Sequence, residues 1–441
     1  MSTAKHEVQQ TSKASTEDES LTERLMERIC IPSNLNRAYK RVKANKGAAG
    51  VDGMTVDKLR DWIAKHKESL IESLLTGTYQ PQPVRGLEIP KPGKNKGVRL
   101  LGIPSAVDRL VQQAIHQVLE PIFDPAFSDS SYGFRSGRNA HQALKKAQDY
   151  VRDGYEIVVD IDVEKYFDCV NHDILMSRLA KRINDKRLLK IIRRFLEVGM
   201  MKQGVCIERE AGLAQGGPLS PLMSNVLLDE LDKELESRGH KFCRYADDSN
   251  VYVRSVRAGE RVLQSVKKFL WERLKLKVND SKSASAVVEE RQFLGYRLLR
   301  SGKLVVARHS VERVKDKIRM LTRRNRGVSL EKVINELNMT LRGWVNYFRL
   351  TEWASELATL DAWIRRKLRC YRLKQRKRTW PIAKFLIKLG VPDDSAWSLA
   401  KSEKGWWRLS RSIPVHHAMD NAWFEEQGLI NLTKQRALLN V

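Results

Sequence analysis

Two short apolar stretches of this chain carry aspartates where strands are usually uncharged. One reads EIVVDIDV (156–163), the other FCRYADDSNVYV (242–253). Strand side chains alternate between faces, so Asp160 and Asp162 share one face of the first stretch. In the second, Asp247 and Asp248 sit side by side where two strand-like flanks meet. Two carboxylates ~4 Å apart repel by ~1 kcal/mol in water and ~4 kcal/mol near a protein surface. If the two stretches lie side by side, three or four carboxylates gather that cannot stay unpaired. With almost no His or Cys nearby, the natural partner is a hard divalent cation with oxygen ligands, Mg²⁺ before Mn²⁺. Two such ions ~3.5–4 Å apart can stabilise the attacking and the leaving oxygen of a phosphoryl transfer. A DD pair alone is usually a turn or a cap. The second acidic strand is what gives it weight.

The neighbouring patterns set the fold class. AHQALKKAQDYVR (140–152) reads as a helix that stops before Gly154. NHDILMSRLAKRI starts a helix with Asn171 as its N-cap. PLSPLMSNVLLDELDKELES is a long helix with prolines in its first turn and Gly239 after its end. Residues 258–275 form another amphipathic helix. Strand, helix, hairpin, helix in that order implies an α+β fold: an antiparallel sheet with helices on one face.

Charge points to the partner class. The 441 residues carry 80 Lys+Arg against 53 Asp+Glu, a formal +27. That favours nucleic acid first and an anionic membrane surface second. From Ser301 to Trp380 there are 21 Lys/Arg against 7 Asp/Glu, which marks a distinct basic module. Leu330, Ile334, Leu337, Leu341, Trp344 and Phe348 repeat at helical spacing there. Leu357, Leu360, Ile364, Leu368 and Tyr371 do the same, and residues 309–325 add a third helix. A solvated charged surface is the plainer reading, but most of these cations lack balancing acids. No run of 18 apolar residues predicts a membrane span. MSTAKHEVQQTSKASTEDES (1–20) lacks the apolar core of a signal peptide and reads as a disordered polar tail. There is no CxxC pair, so the five cysteines read as reduced thiols of a cytoplasmic protein. His416 and His417, with no Cys nearby, read as structural rather than as metal ligands.

In this setting the motif order resembles a bacterial group II intron reverse transcriptase/maturase. NLNRAYKRVKANKGAAGVDGMT (34–55) is similar to the family's N-terminal extension of the fingers. IPKPGKNKGVRLLGIPSAVDR (89–109) and YGFRSGRNAHQAL (132–144) resemble its finger motifs. VVDIDVEKYFDCVNHDIL resembles the palm strand with the first catalytic aspartate, and AQGGPLSP (214–221) and YADD follow. KVNDSKS (277–283) and FLGYRLL (293–299) close the polymerase, and LRGWVNYFR (341–349) resembles the thumb, or maturase, segment. Each motif is modestly specific; their joint order over roughly residues 30–380 is highly so.

The resemblance implies a right-hand polymerase: a disordered tail over 1–30, fingers and palm over 31–304, a helical thumb/maturase domain over 305–378, and a small C-terminal basic domain over 379–441. It implies Asp162, Asp247 and Asp248 as the catalytic carboxylates. The metal set is Asp162, Val163, Asp247 and Asp248, holding two Mg²⁺, with Mn²⁺ as a possible substitute. Asp160 is the weaker ligand, although its spacing does not exclude it. Lys91 and Arg99 match the positions that meet the nucleotide triphosphate, or are ordinary surface cations. Gln215 and Gly216 match the motif under the incoming nucleotide, or a plain helix entry. Lys282 is a further nucleotide candidate. Phe167, five residues after Asp162, matches the aromatic that gates the sugar, or is core. Arg365, Arg366, Lys367 and Arg369 are the expected RNA contacts. Trp406, Trp407, Arg408, Arg411 and Trp423 suit base stacking and phosphate contact, or a small aromatic core.

The implied function is RNA-directed DNA polymerisation, a nucleotidyl transfer, together with splicing and mobility of a group II intron. Partners would be intron RNA, an RNA template with a DNA primer, deoxynucleoside triphosphates and target DNA. No membrane is implied, and the place is the bacterial cytoplasm, near the nucleoid. After Cys370 there is no cysteine and only His416 and His417, so the resemblance is to the type lacking a His/Cys-rich nuclease domain. Two alternatives stay open: a host-adopted reverse transcriptase in defence or DNA repair, and a splicing factor with a vestigial polymerase.

Overall fold

A computed structural model of the chain describes Thr22 and residues 24–90, 97–202 and 205–439. Two compact units result. One takes the chain up to Tyr150 and Gly154–Val287, the other Val151–Asp153 and the chain from Val288 onward. The strands are β1 (Val84–Pro90), β2 (Val98–Ile103), β3 (Ile157–Ile161), β4 (Met200–Lys202), β5 (Val205–Ile207), β6 (Lys241–Tyr245), β7 (Asp248–Val253), β8 (Ala284–Val287), β9 (Tyr296–Leu298) and β10 (Leu304–Val306).

The first unit is organised by a four-stranded antiparallel sheet in the order β6-β7-β3-β8. Its centre is the acidic strand. Ile157, Val158, Val159 and Ile161 are all buried, and each such side chain contributes ~1.5–3 kcal/mol. That burial fixes the register, because a one-residue slip would turn the aspartates inward. Asp160 pairs with Asn250 and Ile161 with Ser249, so Asp162, one step on, arrives level with Asp248. The helix Val256–Leu274 connects β7 to β8 and packs against β3 and β8. The helix Ser220–Ser237 leads into β6. Asn171 caps its helix as expected, its side-chain oxygen accepting the Ile174 N–H at 2.9 Å. A second sheet, β2-β1-β4-β5, contains one parallel pair, β1 with β4, so antiparallel pairing holds throughout the palm sheet but not here.

Of the polar tail expected over 1–30, residues 1–21 lie outside the described residues, and over Leu25–Cys30 the expectation fails. Leu25–Cys30 is helical and buries Leu25, Met26, Ile29 and Cys30. The Asp185 carboxylate accepts the Met26 N–H at 3.0 Å, and Arg187 pairs with Glu27 at 2.9 Å. The apolar pairs at positions i, i+1, i+4 and i+5 make a helical stripe that a polar-tail reading overlooks.

The second unit holds the β9–β10 ribbon and a set of helices. Arg308–Leu321, Leu330–Tyr347 and Ala354–Arg376 match the three helices read from periodicity. Two boundaries differ from expectation. The ribbon belongs with the helices, so the chain divides at Val287/Val288 and not at 304. No core boundary falls at 378 either: one apolar cluster runs from Val314 and Leu337 through Leu386 and Val415 to Leu432. The Asp361 carboxylate, on the third helix, accepts the Leu432 and Thr433 N–H groups at 3.0 and 3.3 Å. A separate C-terminal domain over 379–441 is thereby replaced by one shared core. Among the described residues no helix is long and apolar enough to cross a membrane.

Candidate active site

Asp162 follows the end of β3 and is fixed through its backbone. Its N–H donates to Ser283 Oγ at 2.9 Å, and its carbonyl accepts the Asn279 N–H at 2.8 Å. Val163 forms a β-bridge with Val278, and the Glu164 N–H donates to the Lys277 carbonyl at 2.8 Å. The KVNDSKS segment is therefore the support of the first aspartate. It also brings the Lys282 ammonium to 3.3 Å from both Asp162 oxygens.

Strands β6 and β7 pair up to Tyr245 and Asp248, leaving Ala246 and Asp247 as the turn. Ala246 has φ +59°, the sign that a tight hairpin turn of the II′ kind requires at its first position. Asp247 is exposed and Asp248 half-buried. Burial, together with the charges of Asp160, Asp247 and Asp162, pushes the Asp248 carboxyl up to about 8. Asp247 is also held above the ordinary carboxylate range, by desolvation and then by Asp162, with Arg99 and Arg244 acting in the opposite sense. Asp248 thus feels the charge of three other acids, and Asp247 that of Asp162, in line with the alternation in β3 and the adjacency in YADD. Asp160 belongs to this group: its charge is the largest neighbouring one on Asp248.

The remaining sequence candidates fall as follows. Arg99 lies on β2, exposed, paired in register with Ile89. Lys91 lies outside the described residues. The Gln215 carbonyl accepts the Gly102 N–H at 2.8 Å. Gly216 has φ +127°, and a Cβ there would lie 2.6 Å from the Gly102 carbonyl oxygen. The QGG turn thus needs glycine and rests on the end of β2. Phe167 packs on the main core and edge-on against Tyr166, ring centroids 5.2 Å apart, yet stays half-exposed. It is partly core and partly available to a ligand.

In the helical unit, Arg365, Arg366 and Lys367 are half-buried. Arg366 lies over the Trp407 ring at 3.8 Å, and Lys367 lies near both Trp363 and Trp407. Arg369 is a correction. It is buried, donates from Nε to the Met419 carbonyl at 2.8 Å, and lies 3.1 Å from His416 Nε2 through Nη1. A buried guanidinium committed to the Met419 carbonyl and the His416 ring is not a surface RNA contact. His416, itself exposed, receives this contact.

Sequence reading passed over Arg244, Asp232, Asn225 and Gly133, which lie beneath the YADD turn. The available signal was Arg244 itself. A cation in an apolar strand is almost never fully buried without an acid partner.

The donor set suits a hard divalent ion: oxygen ligands only, on carboxylates whose mutual charge a cation would relieve. The side chains are not gathered around one point, however. Among the described residues no three His, Cys, Asp or Glu side chains stand ready to hold a metal. The expected convergence is one of backbone register and charge, and Lys282 occupies the Asp162 carboxylate.

Comparison with known proteins gives the family. The family described as reverse transcriptase (RNA-dependent DNA polymerase) matches residues 89–298, and the group II intron, maturase-specific domain matches residues 311–387. Protein YkfC of Escherichia coli K12 is 32% identical over 328 residues, 65% of this chain and 86% of that protein. The chain belongs to the group II intron-type reverse transcriptases with a maturase domain. Group II intron-encoded protein LtrA of Lactococcus lactis subsp. cremoris is 37% identical over 207 residues, 47% of this chain and 34% of LtrA. Among solved structures, a chain of a partial Cas6-RT-Cas1–Cas2 complex is 29% identical, with a TM-score of 0.37 over 56% of this chain and 42% of that chain. A member of this reverse transcriptase family is an RNA-directed DNA polymerase.

Proposed function

We propose that this reverse transcriptase adds deoxynucleotides to a primer 3′-hydroxyl on an RNA template at the Asp162, Asp247 and Asp248 cluster, with Mg²⁺. On this reading its basic helical unit binds group II intron RNA and assists splicing and mobility into target DNA. The observation that carries the reading is the register of β3 against β7, which brings Asp162 level with the YADD turn. Asp162, Asp247 and Asp248, with the backbone carbonyl of Val163, would hold the ions. When bound, Mg²⁺ supplies charge stabilisation to the attacking and leaving oxygens.

The chain's own groups do the positioning, which is most of the catalysis in phosphoryl transfer. Arg99 and Lys282 offer cationic charge to a triphosphate. The glycine turn at 216–217 lets a nucleotide approach the backbone closely. On this reading Phe167, half-exposed beside the core, would exclude a ribose 2′-hydroxyl. The test is extension of a DNA primer on an RNA template by the purified protein, with Mg²⁺. Wild-type protein should extend, and Asp247→Asn should not, while RNA binding stays nearly intact. Full extension by the variant would remove the cluster from the reaction.

A further inference from the structure

Beneath the catalytic turn lies a charged pair that the chemistry above does not use. Arg244, Asp232 and Asn225 are each fully buried. Arg244 donates from Nε and Nη2 to the two Asp232 oxygens at 2.8 and 2.5 Å. Its Nη1 donates to Asn225 Oδ1 and to the Ala246 carbonyl, both at 2.9 Å. Asn225 in turn donates from Nδ2 to the Gly133 carbonyl at 2.9 Å. The backbone of Arg244 joins in: its N–H donates to the Ser130 carbonyl at 2.9 Å, and its carbonyl accepts the Tyr132 N–H at 2.8 Å.

Gly133 closes the other side of the turn. A Cβ there would lie 2.2 Å from the Ala246 nitrogen and 2.8 Å from the Tyr245 carbonyl carbon. Ala246 is thus gripped from both sides in a left-handed conformation that residues with a Cβ avoid. Such a conformation persists only where its surroundings over-determine it. A buried ion pair is often no more stable than well-packed apolar residues of the same volume. The distinctive gain here is geometry, because the guanidinium fork is planar and fixes the direction of each bond it makes. Asp247 and Asp248 follow Ala246 directly, so their carboxylates move with its peptide.

We propose that the Arg244–Asp232 pair, with Asn225 and Gly133, is a positioning clamp that sets the catalytic turn by holding the Ala246 peptide. The clamp touches neither substrate nor metal and acts through Asp247 and Asp248. It rests on the polymerase reading, and primer extension by wild-type protein tests that reading separately.

The clamp is tested with R244M/D232L, R244K and G133A, each measured for melting temperature, primer–template affinity, kcat, nucleotide KM and half-saturating Mg²⁺. The double variant removes both charges together and so leaves no orphaned ion in the core. It should melt near the wild type and bind primer–template normally. Its kcat should fall ~10²-fold, as expected for a small misplacement of catalytic groups, and its half-saturating Mg²⁺ should rise. R244K keeps the charge but not the fork and should shift both quantities in the same direction. A folded double variant with wild-type kcat and Mg²⁺ dependence would overturn the proposal. So would a loss of kcat that only tracks the folded fraction. Should the double variant not fold, G133A decides, since it displaces the turn from the opposite side and leaves the pair intact. Unchanged kcat and Mg²⁺ dependence in folded G133A would equally overturn the clamp.

Discussion

Lys282 places its ammonium 3.3 Å from both carboxylate oxygens of Asp162. The contact is largely exposed on the lysine side, so its intrinsic strength is small. Its consequence is competition, because a divalent ion at Asp162 must displace this cation or share the carboxylate with it. A displaced Lys282 can then meet a triphosphate. K282M should therefore lower the half-saturating Mg²⁺ while raising the nucleotide KM. Steady-state primer extension over a Mg²⁺ and nucleotide grid reads both quantities. A nucleotide KM unchanged by K282M would remove Lys282 from the nucleotide site.

Asp248 links metal, pH and stability. Its folded carboxyl is raised to about 8 by burial and by Asp160, Asp247 and Asp162. The folded state therefore binds this proton more tightly than the unfolded chain does. Stability from this group is complete below the ordinary aspartate range and is lost as pH rises toward about 8. Without divalent ions, melting temperature should fall between about pH 5 and pH 8, and D248N should flatten that slope. Mg²⁺ should raise the melting temperature more at about pH 8 than at about pH 6, since protons compete for its ligands. Thermal unfolding at several pH values, with and without Mg²⁺, checks each statement. An equal slope in D248N would place the titration elsewhere.

The palm sheet was legible because its signals are local. Alternation fixed the face of Asp160 and Asp162, adjacency fixed Asp247 and Asp248, and the Asn171 cap and the helix periods needed only a few neighbours each. The clamp was not legible. Arg244 and Asp232 lie on different elements, and only the packed structure shows that the arginine points inward to an acid. Arg369 misled for the same reason, since a cation on a basic helix reads as exposed until Met419 and His416 are seen to receive it. The shared core of residues 314–432 was hidden by composition, because a change in local charge and aromatic content is not a break in packing.

Phe167 carries a selectivity prediction. Its ring is half-exposed beside the core, so truncation should open space without collapsing the unit. F167V should raise ribonucleotide incorporation relative to deoxyribonucleotide. Its stability cost should be about 1–3 kcal/mol, below that of a fully buried aromatic. Competing nucleotide incorporation and a denaturant titration measure the two effects. A fixed incorporation ratio would assign Phe167 to packing alone.

Arg365, Arg366 and Lys367 should govern the salt dependence of RNA binding. Each cation that neutralises a phosphate steepens the slope of log K against log salt by ~0.7–0.9. Neutralising the three side chains together should therefore flatten the slope by ~2–3. Arg369, committed to Met419 and His416, should behave differently. R369Q should lower the melting temperature and leave the salt slope of the folded fraction unchanged. Filter binding across a salt series, with thermal unfolding of each variant, separates the two classes.

The single core of the helical unit sets the last expectation. Leu432 is fully buried in the cluster that also holds Leu337 and Leu368, and the N–H groups of Leu432 and Thr433 are received by Asp361. D361N keeps the shape but weakens a charge-assisted acceptor, which is worth ~1.5–3 kcal/mol. D361A removes it and leaves buried N–H groups unpaired, so the larger loss should follow D361A. L432A should cost ~2–5 kcal/mol through the cavity it leaves. If the segment after 378 were an independent domain, these changes would release only that segment. With one core, protease sites in the helices Leu330–Tyr347 and Ala354–Arg376 should open together with those beyond 379. Limited proteolysis followed by mass mapping distinguishes the outcomes, and cleavage confined to residues after 378 would restore the separate C-terminal domain.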